Sequence, residues 1–255
     1  MTVPRIAPSI DVSEERGVRF LHFGSPWVQG AMRIARPDAL ELEYTREMMF
    51  PLLLHDAAWP ASVLQIGLGA ASHTRFLARH RPRARLTVVE IDPNVIACAR
   101  QFFKLPEASP RLNIVVGDGA DHVAATDRRF DLILVDGFDA KGRSGRLDTL
   151  PFYMDCRARL ATGGAISVNL VTRNRSAVPS MARLRHAFGE RARLLAPSEP
   201  GNQIALAMTG PLRHEAFADL RQAAERLRRE IGLDLRPTLA RLRPSLKGRR
   251  ETFTL

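Results

Sequence analysis

Two features are scarce in this chain of 255 residues: cysteine and long hydrophobic runs. The two cysteines, Cys98 and Cys156, lack the spacing of a metal site, so we expect small buried residues in a reducing compartment. No apolar run approaches the roughly 20 residues that span a bilayer. Residues 1–17 contain proline and acidic residues where a signal peptide needs an apolar core. These absences predict a cytoplasmic protein without a membrane segment.

Lysine is also scarce, although the chain is strongly basic. Only Lys104, Lys141 and Lys247 are lysines, and the formal net charge is +11. Residues 221–250 hold ten basic residues against three acids and supply +7 of that charge. A basic helical segment can bind phosphates or anionic membranes, but it is more often a solvated helix face. We therefore expect neither a nucleic-acid partner nor a membrane partner.

Short apolar runs alternate with segments of helical periodicity from residue 61 onward. The predicted strands are residues 62–66, 85–90, 112–116, 132–135 and 165–170, and a final hairpin joins 192–195 to 203–208. The predicted helices are residues 72–80, 93–103, 119–125 and 151–160, the last closed by Gly163 and Gly164. This alternation predicts right-handed βαβ units and a mostly parallel sheet.

The flanking segments have other patterns. Residues 17–36 mix β-forming residues with turn signals, which predicts a hairpin or a small sheet, and a stretch of helical spacing follows. We divide the chain into an N-terminal β-subdomain with a linking helix (residues 1–56), a catalytic domain (residues 57–210) and a basic helical appendage (residues 211–255).

A glycine-rich turn joins the first core strand to its helix in VLQIGLGAAS, residues 63–72. Gly67 and Gly69 let the backbone approach a ligand, and the helix N-terminus offers free N–H groups. Glu90 ends the next strand, where a carboxylate can accept hydrogen bonds from both hydroxyls of a ribose. Ser72 stands where dinucleotide sites of the G-x-G-x-x-G type have a third glycine, which argues against NAD.

Acidic residues also follow the third and fourth core strands. Asp118 and Gly119 come after the third strand, where a carboxylate can bind the amino group of adenine or simply cap a helix. Asp136 and Asp139 follow the buried run of FDLILVDGFDAKG, residues 130–142. Ligands bind beyond the carboxyl ends of strands in open α/β sheets. These acids therefore predict one cavity for an adenosyl sulfonium compound.

These segments together resemble the spermidine synthase (polyamine aminopropyltransferase) family. The resemblance covers roughly residues 17–208 and rests on VLQIGLGAAS, VVEIDPNVI, VVGDGADH, FDLILVDGFD and YTREMM. It implies a class I methyltransferase-like (Rossmann-like) α/β fold, with a mostly parallel seven-stranded sheet behind the N-terminal β-subdomain, and a homodimer. It also implies aminopropyl transfer from decarboxylated S-adenosylmethionine to an amine such as putrescine, without a metal ion.

The resemblance also implies a role for each site residue. Asp136 is the expected base, because an alkyl amine with a pKa of about 10.4 is protonated and not nucleophilic at neutral pH. Asp139 is expected to anchor the cationic acceptor, and Tyr44 to line its channel. The expected donor-binding residues are Gln29, Gly67, Gly69, Glu90, Asp118, Gly119 and Asp136.

Three positions depart from the family pattern. Ala70 lies in the glycine-rich turn, where members of the family carry an acid that binds the amino group of the donor. Gly137 and Phe138 replace the Ser-Ser pair that members have between their two acids, and Ala140 replaces the following proline. With these differences the chain resembles the divergent bacterial spermidine synthase-like branch of the family.

The loop after Asp139 is basic. Lys141, Arg143 and Arg146 lie in AKGRSGR, where cations would repel a cationic substrate. We expect these three side chains to point into solvent.

Two other functions remain open at this point. The first is an S-adenosylmethionine-dependent methyltransferase of a small molecule, since the missing turn acid would no longer repel the carboxylate of the intact cofactor. Asn169 lacks the preceding aspartate of a catechol-type metal site, and no N/D-P-P-Y/F motif follows the fourth strand. The second is a non-catalytic relative that binds an adenosyl ligand and docks through its basic tail.

Overall fold

The computed structural model describes residues 9–25, 27–139, 142–172, 176–198, 201–242, 245–247 and 250–255. The first element of these residues is a small antiparallel sheet. Its strands are β1 (Ile10–Glu15), β2 (Val18–Phe23) and β3 (Val28–Arg33), in that order. Two short helices follow, α1 (Glu43–Glu47) and a buried apolar 3-10 turn, Phe50–Leu54. The predicted small sheet is confirmed, and it begins earlier than expected because β1 precedes residue 17.

The central sheet has seven strands. Its elements are β4 (Ser62–Ile66), α2 (Ser72–His80), β5 (Arg85–Glu90), α3 (Pro93–Phe102), β6 (Leu112–Val116), α4 (Gly119–Ala125), β7 (Phe130–Val135), α5 (Leu150–Arg159), β8 (Leu160–Val171), α6 (Val178–Phe188), β9 (Ala192–Leu194) and β10 (Asn202–Met208). The strand order is β6-β5-β4-β7-β8-β10-β9, and β10 runs antiparallel to both of its neighbours. The predicted parallel sheet and terminal hairpin are confirmed.

The C-terminal segment adds a third sheet. Its elements are β11 (His214–Ala216), α7 (Phe217–Ile231), α8 (Arg236–Arg241), β12 (Ser245–Lys247) and β13 (Arg250–Thr254). Helix α7 is amphipathic: Leu220, Ala224 and Leu227 are buried on one face, while Arg228 and Arg229 are exposed. Helices α7 and α8 lie in the segment that the sequence predicts to be helical and basic. The antiparallel order β11-β13-β12 was not predicted.

Apolar side chains cover both faces of the central sheet. Leu132 and Leu134 of β7 belong to the core beneath α2, α3 and α7, whereas Ile133 and Val135 belong to the core beneath α4, α5 and α6. A strand covered on both faces needs a continuous apolar run, which explains the sequence of β7. None of the helices in the described ranges has the length and apolarity for a bilayer crossing.

The prediction that Gly163 and Gly164 close a helix is wrong. Helix α5 ends at Arg159, and the glycines lie inside β8. Gly163 has a φ of +74°, and a Cβ atom on Gly164 would lie 3.0 Å from the carbonyl oxygen of Phe130. The pair therefore serves a register shift where β8 joins β7.

Candidate active site

A cavity of about 280 Å³ opens at the carboxyl ends of β4, β5, β7 and β8, next to the N-terminal sheet. Six residues predicted for the site line it, namely Gln29, Tyr44, Gly67, Gly69, Glu90 and Asp136. Asp118, Gly119 and Asp139 are not among the described residues that line it. The structure thus brings together most of the predicted site but places three members outside the cavity wall.

The glycine-rich turn touches the strand that carries Asp136. Gly67 has a φ of +88°, and a Cβ atom there would lie 2.1 Å from the carbonyl oxygen of Asp136. Only glycine fits this position. Two side-chain hydrogen bonds stabilise the turn. The side-chain amide of Gln65 donates to the carbonyl of Gly67 (2.8 Å), and the hydroxyl of Thr74 donates to the side-chain oxygen of Gln65 (2.8 Å).

Glu90 links β5 to the same turn. Its carboxylate accepts the backbone N–H of Leu68 at 2.8 Å and that of Asp92 at 3.0 Å. Only 8% of Glu90 is exposed. Burial raises the pKa of Glu90, and the backbone N–H groups oppose that shift. The carboxylate is therefore held rigidly and faces the cavity with little water around it.

Asp136 lies in the cavity wall at the end of β7. Its Oδ1 accepts the side-chain N–H of Asn169 at 2.9 Å, and it also accepts a hydrogen bond from Tyr44. Desolvation raises the pKa of Asp136, whereas His73 and the two donors favour its ionised form. Burial and the charge of Asp136 raise the pKa of Tyr44 well above 10.0, so its hydroxyl remains a donor.

His73 is a further buried side chain next to Asp136. Its Nε2–H donates to the carbonyl of Thr45 at 3.1 Å, next to Tyr44. His73 is 3% exposed, and burial lowers its pKa. The nearby Asp136 opposes this shift in the pKa of His73, so the protonation of the two groups is linked.

The N-terminal sheet packs directly on the glycine-rich turn. A Cβ atom on Gly30 would lie 2.6 Å from the Cβ atom of Ala70. Ala70 is buried, so its methyl group fills the position where the family pattern has an acid. The same strand places Gln29 in the cavity wall.

Asp118 begins α4 and forms an ion pair. Its Oδ1 accepts the N–H of Ala120 at 2.7 Å, and its Oδ2 lies 3.0 Å from Nη1 of Arg146. Arg146 also binds Asp121 at 2.6 Å. The helix-cap alternative is thus realised, and one oxygen of Asp118 already has a cationic partner.

Asp139 is paired in the same way. Its Oδ2 lies 2.7 Å from Nε and 2.6 Å from Nη2 of Arg143, and its Oδ1 accepts the backbone N–H of Arg143 at 3.0 Å. Arg143 and Arg146 are exposed to solvent, as expected, and each also binds an acid: Arg143 binds Asp139, four residues away, and Arg146 binds Asp118 and Asp121. Lys141, predicted with them, lies outside the described residues.

Comparisons with known proteins identify the family. A model described as the spermine/spermidine synthase domain matches residues 41–174. A polyamine aminopropyltransferase of Neisseria meningitidis serogroup A is 35% identical over 97% of this chain and 94% of its own length. The chain belongs to the spermidine synthase family. It is an aminopropyltransferase, as the sequence predicted, and the methyltransferase and non-catalytic alternatives are set aside.

Solved structures support the fold of this aminopropyltransferase. A probable spermidine synthase from Corynebacterium glutamicum has a TM-score of 0.68 at 23% identity and covers 78% of this chain and 76% of its own. Human methyltransferase-like protein 13, solved with SAH, has a TM-score of 0.65 at 23% identity and covers 82% of this chain and 97% of its own. The predicted methyltransferase-like fold is confirmed.

Several residues of the aminopropyltransferase cavity were not predicted. Phe23 and Trp27 of the N-terminal sheet line it, as does Asn169, and His73 lies directly behind it. Asn169 was considered only as part of an incomplete metal site. Its signal was a polar residue near the end of an apolar strand, and its place beside Asp136 follows from the pairing of Val135 with Val168.

Proposed function

We propose that this aminopropyltransferase moves an aminopropyl group from decarboxylated S-adenosylmethionine to an amine such as putrescine and releases methylthioadenosine. One observation carries the proposal: Glu90 and Asp136 face one cavity, and desolvation raises the pKa of each. Two desolvated carboxylates are costly to ionise unless a cation binds them. A sulfonium donor and an ammonium acceptor supply such cations.

The donor is proposed to lie along the glycine-rich turn. The carboxylate of Glu90 accepts hydrogen bonds from the backbone N–H groups of Leu68, Asp92 and Ile91. The side of the carboxylate that faces the cavity is proposed to accept the ribose hydroxyls. Gln29, Gly67 and Gly69 would form the wall on either side of the sulfonium.

The adenine end is proposed to lie near the start of α4. Asp118 and Gly119 are the residues that the family pattern assigns to it. Since Arg146 binds one oxygen of Asp118 and the helix cap uses the other, the adenine amino group must share that carboxylate.

Asp136 is proposed as the base. It would hold the acceptor ammonium beside the donor and take one proton, so that the nitrogen regains its lone pair. The nitrogen then attacks the methylene carbon next to sulfur. The carbon–sulfur bond breaks, its electrons remain on sulfur as a neutral thioether, and the product nitrogen carries the positive charge. Positioning of the two reactants supplies much of the acceleration.

The distal end of the acceptor is proposed to reach Asp139, past Tyr44. In the described conformation Arg143 binds Asp139, so a diamine would have to displace or share that partner. The pair is exposed, and exposed ion pairs contribute only about 0–1 kcal/mol. A cationic acceptor can therefore compete with Arg143.

The proposal also includes a cytoplasmic homodimer that needs no metal ion for the transfer. It keeps the division into residues 1–56, 57–210 and 211–255, with chemistry assigned to the central part.

The test is a product assay on the purified chain. We expect methylthioadenosine when decarboxylated S-adenosylmethionine is supplied with putrescine, cadaverine or spermidine, and none when either substrate is omitted. Intact S-adenosylmethionine serves as the control donor. Release of S-adenosylhomocysteine with intact donor, or no methylthioadenosine with any amine, would contradict the proposal.

A further inference from the structure

Asn169 has one satisfied and one unsatisfied end. Its Nδ2 donates to Oδ1 of Asp136 at 2.9 Å, whereas its own Oδ1 is buried with no hydrogen-bond partner among the described residues. Asn169 is 3% exposed and lines the cavity. A buried amide oxygen without a partner lowers stability. Its position in the cavity wall therefore points to a ligand that supplies the missing donor.

The chemistry of Asp136 fixes the orientation of the amide. An ionised carboxylate accepts hydrogen bonds and donates none, so the N–H side of Asn169 must face it. Rotating the amide by half a turn would place two acceptors against each other. The free oxygen of Asn169 is thus an acceptor held next to the proposed base.

We propose that Asn169 and Asp136 together receive the attacking nitrogen and select a primary amine. This inference rests on the proposed function. Once the nitrogen is neutral, it has two N–H groups. One donates to Oδ1 of Asn169, and the other to a carboxyl oxygen of Asp136, which accepts in either protonation state. The lone pair is then left in the remaining tetrahedral direction, toward the methylene carbon of the donor.

The two acceptors remain filled through the transfer. When the new carbon–nitrogen bond forms, the product nitrogen is a secondary ammonium with two N–H groups, which stay on Asn169 and Asp136. The displaced electrons rest on sulfur, and the one proton released is the one that Asp136 took at the start. The balance requires no other reactant.

A secondary amine cannot fill both acceptors. In its neutral form it has one N–H group, so the oxygen of Asn169 stays unpaired inside the site. A site built around a hydrogen bond rejects a ligand that leaves its buried polar group unpaired. The product is therefore a poor acceptor for a second aminopropyl group on the same nitrogen, and extension should favour primary ends.

The test compares putrescine with N,N′-dimethylputrescine, in which both nitrogens are secondary. We expect the wild-type chain to prefer putrescine by about 10- to 100-fold in kcat/KM. Asn169→Leu should slow transfer to both acceptors, because Asp136 loses a hydrogen-bond donor. It should also abolish most of the preference for putrescine. The ratio isolates the free oxygen, since loss of the bond to Asp136 affects both acceptors alike.

Two further variants complete the design. Asn169→Asp keeps an acceptor oxygen and should retain the preference, while a second carboxylate beside Asp136 moves the acid limb of the pH profile upward. Ser167→Ala removes another buried, unpartnered oxygen from the same strand, but one outside the cavity lining, and should leave rate and preference unchanged. Methylthioadenosine binding by calorimetry verifies folding of each variant.

The outcomes distinguish failure of the proposed function from failure of the role of Asn169. A wild-type chain that releases no methylthioadenosine overturns the proposed function and this inference with it. An active wild-type chain without a preference, or Asn169→Leu with an unchanged preference, overturns only the role of Asn169. If Asn169→Leu does not bind methylthioadenosine, Asn169→Asp decides: a retained preference supports the inference, and a lost preference overturns it.

Discussion

The acids at the carboxyl edge of the sheet fall into two pairs. The inner pair, Glu90 and Asp136, lines the cavity and accepts hydrogen bonds from uncharged groups, among them the N–H of Leu68 and the amide of Asn169. The outer pair, Asp118 and Asp139, lies outside the described lining and binds loop arginines.

The two pairs differ in their charged partners as well as in their place relative to the cavity. All four acids lie at or just after the ends of core strands, so their place in the sequence predicts the edge of the sheet for each of them. Only the inner pair is desolvated without a guanidinium against it in the described structure, which leaves it to a cationic ligand. The outer pair is already neutralised by its own loop. The inner acids should therefore control chemistry, and the outer acids should tune affinity.

The largest effect should come from Asp136→Asn. Loss of a general base typically lowers turnover by about 100- to 10,000-fold. Methylthioadenosine binding should stay nearly unchanged, because the thioether product is uncharged at sulfur. Single-turnover kinetics and calorimetry measure the two quantities. Full activity in this variant would remove Asp136 as the base.

Glu90→Gln should mainly affect the nucleoside. Hydrogen bonds to a charged group contribute about 1.5–3 kcal/mol, so donor and methylthioadenosine affinity should fall by about 10- to 100-fold. The control is Glu107→Gln, which removes an exposed acid far from the cavity lining. Equal affinities for the two variants would contradict the ribose assignment.

The raised pKa of Asp136 should make both stability and activity depend on pH. The pKa of Asp136 is raised in the folded chain, so the folded state holds this proton more tightly than the unfolded state does. The stability that comes with the protonated form is therefore present at low pH and lost as the pH rises through the folded pKa. Asp136→Asn removes this loss, and denaturant unfolding should show a more stable variant at neutral pH, with the difference shrinking on acidification. Activity should change oppositely, with an acid limb above the ordinary aspartate value of 3.8.

The smallest effect should come from the outer pair. Arg143→Ala releases Asp139 and should lower KM for diamines by about two- to fivefold, since an exposed ion pair contributes about 0–1 kcal/mol. A monoamine of equal length should show no such gain. Arg146→Ala is the matched change at Asp118, and its effect should fall on the donor instead. A high-salt buffer should reduce both effects.

Local patterns predicted the elements between residues 62 and 135 closely, because each strand and helix there has a clear period and a turn signal. The C-terminal sheet could not be predicted in this way. His214 pairs with Thr254 across a long separation, and β11 has only three residues. Helix α6 was also missed, since its proline and scattered basic residues hide its apolar face.

The site was predictable where a residue has one available role. Gly67 and Glu90 are fixed by the turn and the strand end. Asp118 had two, adenine ligand or helix cap, and the ion pairs of Asp118 and Asp139 could not be predicted because they depend on where Arg146 and Arg143 fold back. Asn169 became visible only through the pairing of β7 with β8, because its partner is thirty-three residues earlier in the chain.

Gly67 brings two ligand-binding segments into backbone contact, since no side-chain atom fits between the turn and the carbonyl of Asp136. We therefore expect a shift of one segment to affect the other. Occupancy of the nucleoside side should alter amine affinity, and by thermodynamic reciprocity the amine should alter nucleoside affinity by the same factor. We therefore expect heterotropic coupling between the two proposed substrates, which calorimetric titration of methylthioadenosine with and without a diamine would measure.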